Sequence, residues 1–294
     1  MSAPLIEAHH LAHRRGDKAI LRDISLQLEP GCTIGLIGRT GAGKTTLLRC
    51  MLGLAFADSG EATVLGERAT QLSTSAKSRL GYVTQTPDLP PDQTVGGLVR
   101  LVASWQPRWE ADWAATLVAR FHLGEFAKVG KLSVGEQQLL ALVLALGHKP
   151  DLLVLDEPVS SLDPVMRRTV AATLADLQAE RQTSILFSTH ILSDLERLAT
   201  HIAVIEDGHI SLHREVDSIR QDIARWQIHA RHTSLPGTLA AAGVLRYRTD
   251  GTKHAVALVD TGIHPDPALL AAQLDAQIDP QTIGLEDFVV EYLQ

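Results

Sequence analysis

Nine consecutive residues, Gly38-Arg39-Thr40-Gly41-Ala42-Gly43-Lys44-Thr45-Thr46, have the composition of a loop that holds phosphate. Glycines at 38, 41 and 43 let the backbone take turns that a Cβ resists. Successive N–H groups can then point inward at one oxyanion, helped by the positive end of a following helix. Lys44 would neutralise β- and γ-phosphates, and the Thr45 hydroxyl would hold Mg2+. The spacing is G-x-x-x-x-G-K-[ST], which carries this meaning only between a strand and a helix. Thr33-Ile34-Gly35-Leu36-Ile37 reads as the buried strand before it, and Leu47-Leu48-Arg49-Cys50-Met51-Leu52 as the helix after it.

A phosphate cradle performs no chemistry until a metal partner and a way to position water are added. The apolar run Leu152-Leu153-Val154-Leu155 ends in Asp156-Glu157-Pro158. Short apolar runs bounded by turn residues suit parallel strands buried on both faces. Asp156, at the end of such a strand, would face the loop across the sheet and support Mg2+. Glu157 points elsewhere and could polarise a water in line with the γ-phosphate.

The elements that position these residues follow from the pattern of the chain. Leu5 to Ala8, Ala19 to Leu21 and Ile24 to Leu28 read as antiparallel strands, with turns at Arg15-Gly16-Asp17 and Glu29-Pro30-Gly31. Ser59 to Val64 and Leu80 to Thr84 resume strands, the latter ending in Gln85. Thr94 caps a helix through Ala103, Pro107 breaks it, and Glu110 to Phe121 forms the next. Trp105, Trp109 and Trp113 cluster here; packing of a helical subdomain is favoured over a platform for a partner's helix. Leu139 to Leu146 and Arg167 to Glu180 read as helices, and Ser184 to Ser188 and Ile202 to Ile205 as strands. Strands alternating with helices predict a mostly parallel sheet covered on both faces.

Beyond Asp217 the pattern changes. Trp226 to His229, Val244 to Tyr247 and Ala255 to Val259 read as strands, and Pro267 to Leu274 and Leu285 to Leu293 as helices. This small α/β part shows no chemistry: His229, His232, His254 and His264 lack metal-ligand spacing and read as surface or turn histidines.

Composition sets outer limits. In 294 residues, 45% hydrophobic and 21% charged, there is core enough for a globular domain with an appendage. A net charge of −7 argues against nonspecific nucleic-acid binding over the whole surface. Cys32 and Cys50 are too few for a disulfide framework or a zinc site, and read as reduced thiols. The start, Met1 to Leu5, lacks a secretory signal pattern. The longest apolar run, Leu139 to Leu146, is far below the ~20 residues that span a bilayer. Any membrane part is expected on another polypeptide.

The order of motifs resembles the nucleotide-binding subunit of an ABC transporter over roughly residues 5 to 215. Gly38 to Thr46 resembles the Walker A, Leu153 to Asp156 the Walker B, and Glu157 the catalytic carboxylate. Gln85 resembles the Q-loop glutamine, which in the family senses Mg2+ and the attacking water. Leu132 to Glu136 resembles the signature sequence, with Ser133 and Gly135 closing on the γ-phosphate held by the other subunit. Ser161-Leu162-Asp163 resembles the D-loop, and His190 the switch histidine at the γ-phosphate. The resemblance implies an α/β P-loop NTPase core with an antiparallel β subdomain and a helical subdomain near 87–150. This ATPase domain would occupy residues 1–217, with a small C-terminal α/β domain at 218–294.

Three departures from the family pattern stand out. Val134 replaces the first signature glycine and Glu136 the glutamine, which adds a like charge near phosphate. Arg15 stands where the family often stacks an aromatic on adenine; a guanidinium can stack on a base, with selectivity in doubt. Arg39 replaces a usually neutral residue and either attracts phosphate or faces solvent.

The resemblance implies an ATP hydrolase using ATP and Mg2+, dimerising with a second ABC ATPase subunit, a homodimer being favoured over a heterodimer. It would work on the cytoplasmic face of the cell membrane and drive a permease on a separate chain. Pro107 to Glu110, Arg120 to Leu123 and Gly284 to Leu293 resemble bacterial drug and antimicrobial-peptide exporters. An importer ATPase and a soluble assembly factor are the alternatives. Ribosome-acting relatives usually carry two cassettes in one chain, and chromosome-organising ones insert a long coiled coil for which Gln85 to Leu132 leaves no space. No nucleic-acid partner is expected.

Overall fold

A computed structural model describes residues 3–249, 251–263 and 265–294, apart from the side chains of Ser193 and Asp194. The expectation for His264 falls outside these described residues. Strands β1 (Ile6–Arg15) and β2 (Lys18–Leu28) form one long hairpin turning at Gly16. The two short runs expected within β2 are one continuous strand, bulged against β1 between the paired stretches. Next come β3 (Thr33–Ile37), α1 (Lys44–Met51), β4 (Ser59–Val64), β5 (Glu67–Arg68), α2 (Thr74–Lys77) and β6 (Leu80–Val83).

Three helices follow: α3 (Val95–Trp105), α4 (Ala111–Arg120) and α5 (Val134–Leu146). Thr94 caps α3 by accepting a hydrogen bond from the Gly97 N–H at 3.0 Å. Trp109 lies before α4, with its ring against Gly147. Trp113 is on α4, and its indole N–H donates to the Leu146 carbonyl at 3.0 Å. Both therefore pack on the end of α5, as expected, while Trp105 is 76% exposed. The chain returns through β7 (Leu152–Asp156), α6 (Pro164–Arg181), β8 (Ser184–Ser188), α7 (Leu192–Leu198), β9 (His201–Glu206) and β10 (His209–Glu215). Asp163 caps α6 with Pro164 in the first turn, three residues ahead of the expected Arg167, because proline there loses no hydrogen bond.

The central six-stranded sheet has the order β10-β9-β3-β8-β7-β6, with β9-β3-β8-β7-β6 parallel. Strands β3, β7 and β8 are buried at every position, which is why they read as unbroken apolar runs. The antiparallel sheet β2-β1-β4-β5 shares a core with α1 and the central sheet.

The contact pattern separates a second compact unit from Arg214 onward. It holds α8 (Val216–Asp222), β11 (Ile223–Ala230), β12 (Val244–Thr249), β13 (His254–Asp260), α9 (Pro267–Leu274), β14 (Ala276–Thr282) and α10 (Leu285–Tyr292). Its antiparallel sheet, β12-β13-β11-β14, packs around Trp226, Ile228, Ala257 and Val259. Strand β14 was not foreseen: Pro280 argues against a strand, and is tolerated because β14 is an edge. Among the described residues no helix is long and apolar enough to cross a membrane.

Candidate active site

Every group that converges on the site leaves the carboxyl end of a parallel strand. The glycine loop follows β3, Gln85 follows β6, Asp156 ends β7 with Glu157 next in the chain, and His190 follows β8. In sheets of this kind ligands bind outside those strand ends.

The loop is shaped by what surrounds it. Gly43 caps α1 at φ 108°, and Gly41 has φ 82°, angles that L side chains resist. A Cβ on Gly38 would stand 2.5 Å from the Ile205 carbonyl oxygen, and one on Gly43 3.1 Å from Leu21 Cδ2. The loop is thus wedged between β9 and β2. Lys44 is buried, and its ammonium donates to the Gly38 carbonyl at 2.8 Å, folding back over the loop. Burial lowers its pKa, opposed by the nearby Glu157 and Asp156 carboxylates. Thr45, Thr46 and Ala42 are half-buried, whereas Arg39, Thr40 and Gly41 face solvent.

Glu157 is where the other groups meet. Its Oε1 lies 3.9 Å from Lys44 Nζ. Its Oε2 accepts from Gln85 Nε2 at 3.2 Å and stands 3.2 Å from His190 Nδ1. Glu157 also has φ 47°, a conformation that costs about 1–3 kcal/mol in a non-glycine residue and clusters at functional sites. Ser188 holds it there. The Ser188 hydroxyl accepts from the Glu157 N–H at 2.9 Å and donates to Asp156 Oδ1 at 2.7 Å. One serine therefore ties the Asp156 carboxylate to the Glu157 backbone, and sequence reasoning passed over it. Its signal was a hydroxyl ending the strand beside Asp156.

Asp156 is 1% exposed, and its second oxygen, Oδ2, is buried with no hydrogen-bond partner. A buried orphan carboxylate oxygen is costly unless a cation or its hydration shell uses it. The residues expected at the metal, Asp156, Thr45 and Gln85, all offer oxygen donors, which fits Mg2+.

Two sets of expected residues stand apart from this cluster. Arg15 is exposed at the β1–β2 turn. Ser133 caps α5 in a capping box: its hydroxyl accepts from the Glu136 N–H at 3.2 Å and donates to Glu136 Oε2 at 2.8 Å. The Ser133 backbone N–H also donates to that carboxylate at 2.8 Å, and these bonds hold Glu136 below the usual carboxylate range. Gly135 packs against the D-loop segment, where an added Cβ would stand 3.0 Å from the Ser161 carbonyl oxygen.

Comparison with known proteins decides the family. Residues 21–160 match the ABC transporter family model. The chain is 32% identical to the ABC transporter ATP-binding protein YtrB of Bacillus subtilis (strain 168), over 76% of each chain. The chain belongs to the ABC transporter ATP-binding family. It is also 40% identical to the Nod factor export ATP-binding protein I of Burkholderia orbicola (strain AU 1054), over 71% of this chain and 70% of that one. A solved ATP-binding subunit of an ABC transporter superposes with a TM-score of 0.67 at 26% identity, over 74% of this chain and 92% of that one. The dimeric post-hydrolysis ATP-binding cassette MJ0796, with ADP and Pi, shares the fold at TM-score 0.64 and 21% identity, over 71% and 98%. As an ABC ATPase the chain binds and hydrolyses ATP.

Proposed function

We propose that this ATPase closes as a dimer around two MgATP, on the cytoplasmic face of a membrane, and powers a separate permease that exports its substrate. The observation that carries the catalytic part is the convergence of Lys44, Gln85 and His190 on Glu157. Gly38 to Thr46 hold the phosphates, and Asp156 and Thr45 are the residues that would hold Mg2+, which when bound neutralises charge on the transferring phosphoryl group. Glu157 takes a proton from water as that water's oxygen attacks the γ-phosphorus and the bond to the β-phosphate oxygen breaks. Gln85 and His190 position Glu157 and contact the γ-phosphate. Ser133 and Gly135 of one subunit close the other subunit's site through the positive end of α5. Arg15 stacks on the base. We assign this work to residues 1–217, with the helical subdomain near 87–150.

A groove of about 630 Å³ runs between β6 and α5, bounded by Arg49, Tyr82, Thr86, Gln106, Leu144 and His148. Thr84 and Thr86, on its wall, flank Gln85. A permease segment seated in this groove would reach the catalytic cluster through Gln85. Export as the direction is supported by the relatives that act in Nod factor export.

The test is the mass of purified Glu157→Gln protein with and without MgATP. A shift from monomer to dimer, with hydrolysis reduced by about two orders of magnitude or more, is expected. Undiminished turnover would remove Glu157 from the catalytic role. A protein that binds ATP yet remains monomeric would point to a different cassette as partner, or to a dimer that needs its permease.

A further inference from the structure

The C-terminal unit brings together two histidines that the sequence keeps 25 positions apart. Across the antiparallel β11–β13 ladder His229 pairs directly with His254. The neighbouring pair is closed by the Ala230 N–H donating to the Lys253 carbonyl. Pairs alternate along such a ladder, so His229 and His254 form the non-hydrogen-bonded kind, whose side chains stand closer. On β11 the buried Trp226 and Ile228 pack into the core, and His229 faces solvent. Its Nδ1 lies 2.8 Å from Nδ1 of His254, and the two rings are nearly perpendicular at 83°. Gln277 of β14 pairs with His229 from the other side and completes a row of three exposed polar residues.

We propose that His229 and His254 form a two-imidazole site for a divalent transition-metal ion, Cu2+ or Ni2+. Imidazole nitrogens suit these borderline ions, and tetragonal geometry marks Cu2+ and Ni2+. The hydrogen bond shows that the two Nδ1 atoms reach one another above the sheet, and among divalent first-row ions Cu2+ is the one that nitrogen donors hold most tightly. Rotation about the broad χ2 torsions turns both lone pairs to one point on the solvent side. In the hydrogen-bonded pair one Nδ1 carries the shared proton. Metal binding displaces that proton, and the same ring takes one from solvent at Nε2, so both imidazoles remain neutral. Among the described residues no third His, Cys, Asp or Glu joins them, so water and the Gln277 amide oxygen fill the other positions.

The full-length protein is titrated with Cu2+ alone, at neutral pH, and followed by pulsed EPR, with His229→Ala, His254→Ala and His232→Ala in parallel. His232 stands on Asp275 outside this row and serves as the control. The site requires one Cu2+ per chain with two coupled imidazoles. Loss of either His229 or His254 must weaken binding at least roughly tenfold, because a chelate becomes a single contact. His232→Ala must bind as the unaltered chain does. A one-imidazole spectrum, or equal affinity in all variants, overturns the proposal. Circular dichroism of each variant confirms that the exposed substitutions leave the fold intact.

Discussion

Ser188 is the residue on which the catalytic geometry turns. Its hydroxyl is buried, donates to Asp156 and accepts from the strained Glu157 backbone. Ser188→Ala leaves Asp156 Oδ1 buried without its donor, at about 1–3 kcal/mol, while the Glu157 N–H keeps the Ser188 carbonyl at 3.2 Å. We expect a lower midpoint in urea and a fall in kcat larger than any change in ATP affinity; unchanged kcat would limit Ser188 to packing. A different residue governs acid sensitivity. His148, just beyond α5, is buried, and desolvation drops its pKa to about 4. The folded chain keeps this imidazole neutral while the unfolded chain protonates it below the ordinary value of 6.5. Its contribution is therefore complete above pH 6.5 and is lost as pH falls toward 4, by at most ~3 kcal/mol. His148→Gln should flatten the stability profile between pH 6.5 and 4.5, read by urea unfolding at each pH. An unchanged slope would assign that window to other groups.

At the scale of an element, the start of α5 shows how a departure from a family pattern is absorbed. Glu136 does not project its charge outward; the carboxylate turns back to the Ser133 N–H and hydroxyl and completes a capping box. Removing a cap of this kind costs about 1 kcal/mol. Glu136→Ala should therefore lower stability by about that amount, while Glu136→Gln, which keeps a side-chain acceptor, should retain most of it. Equal destabilisation in the two variants, measured by urea unfolding, would contradict the capping role. The apolar run showed the body of this helix, Leu139 to Leu146; the structure starts it at Val134, because the Ser133 and Glu136 side chains cap the polar first turn. The sequence did not show that the two side chains engage each other in preference to pointing at a partner.

Across the whole catalytic unit, the proposed coupling to a permease runs through the groove between β6 and α5. Thr86→Trp, on its exposed lip, should leave ATP binding unchanged and abolish co-purification with the permease. Retained co-purification would move the docking surface elsewhere. The phosphate loop, Asp156, Glu157 and the buried parallel strands themselves were legible in the chain because each depends on local rules. These are glycine where φ is positive, unbroken apolar runs in doubly buried strands, and a carboxylate at a strand end. Edge strand β14 was hidden because Pro280 breaks the local rule while an edge position excuses it. The meeting of Gln85, Lys44 and His190 at Glu157, the double use of Ser188, and the His229–His254 pair depend on strand order and register. Those are long-range choices, made by burying whole faces of a sheet, and residue spacing along the chain does not encode them.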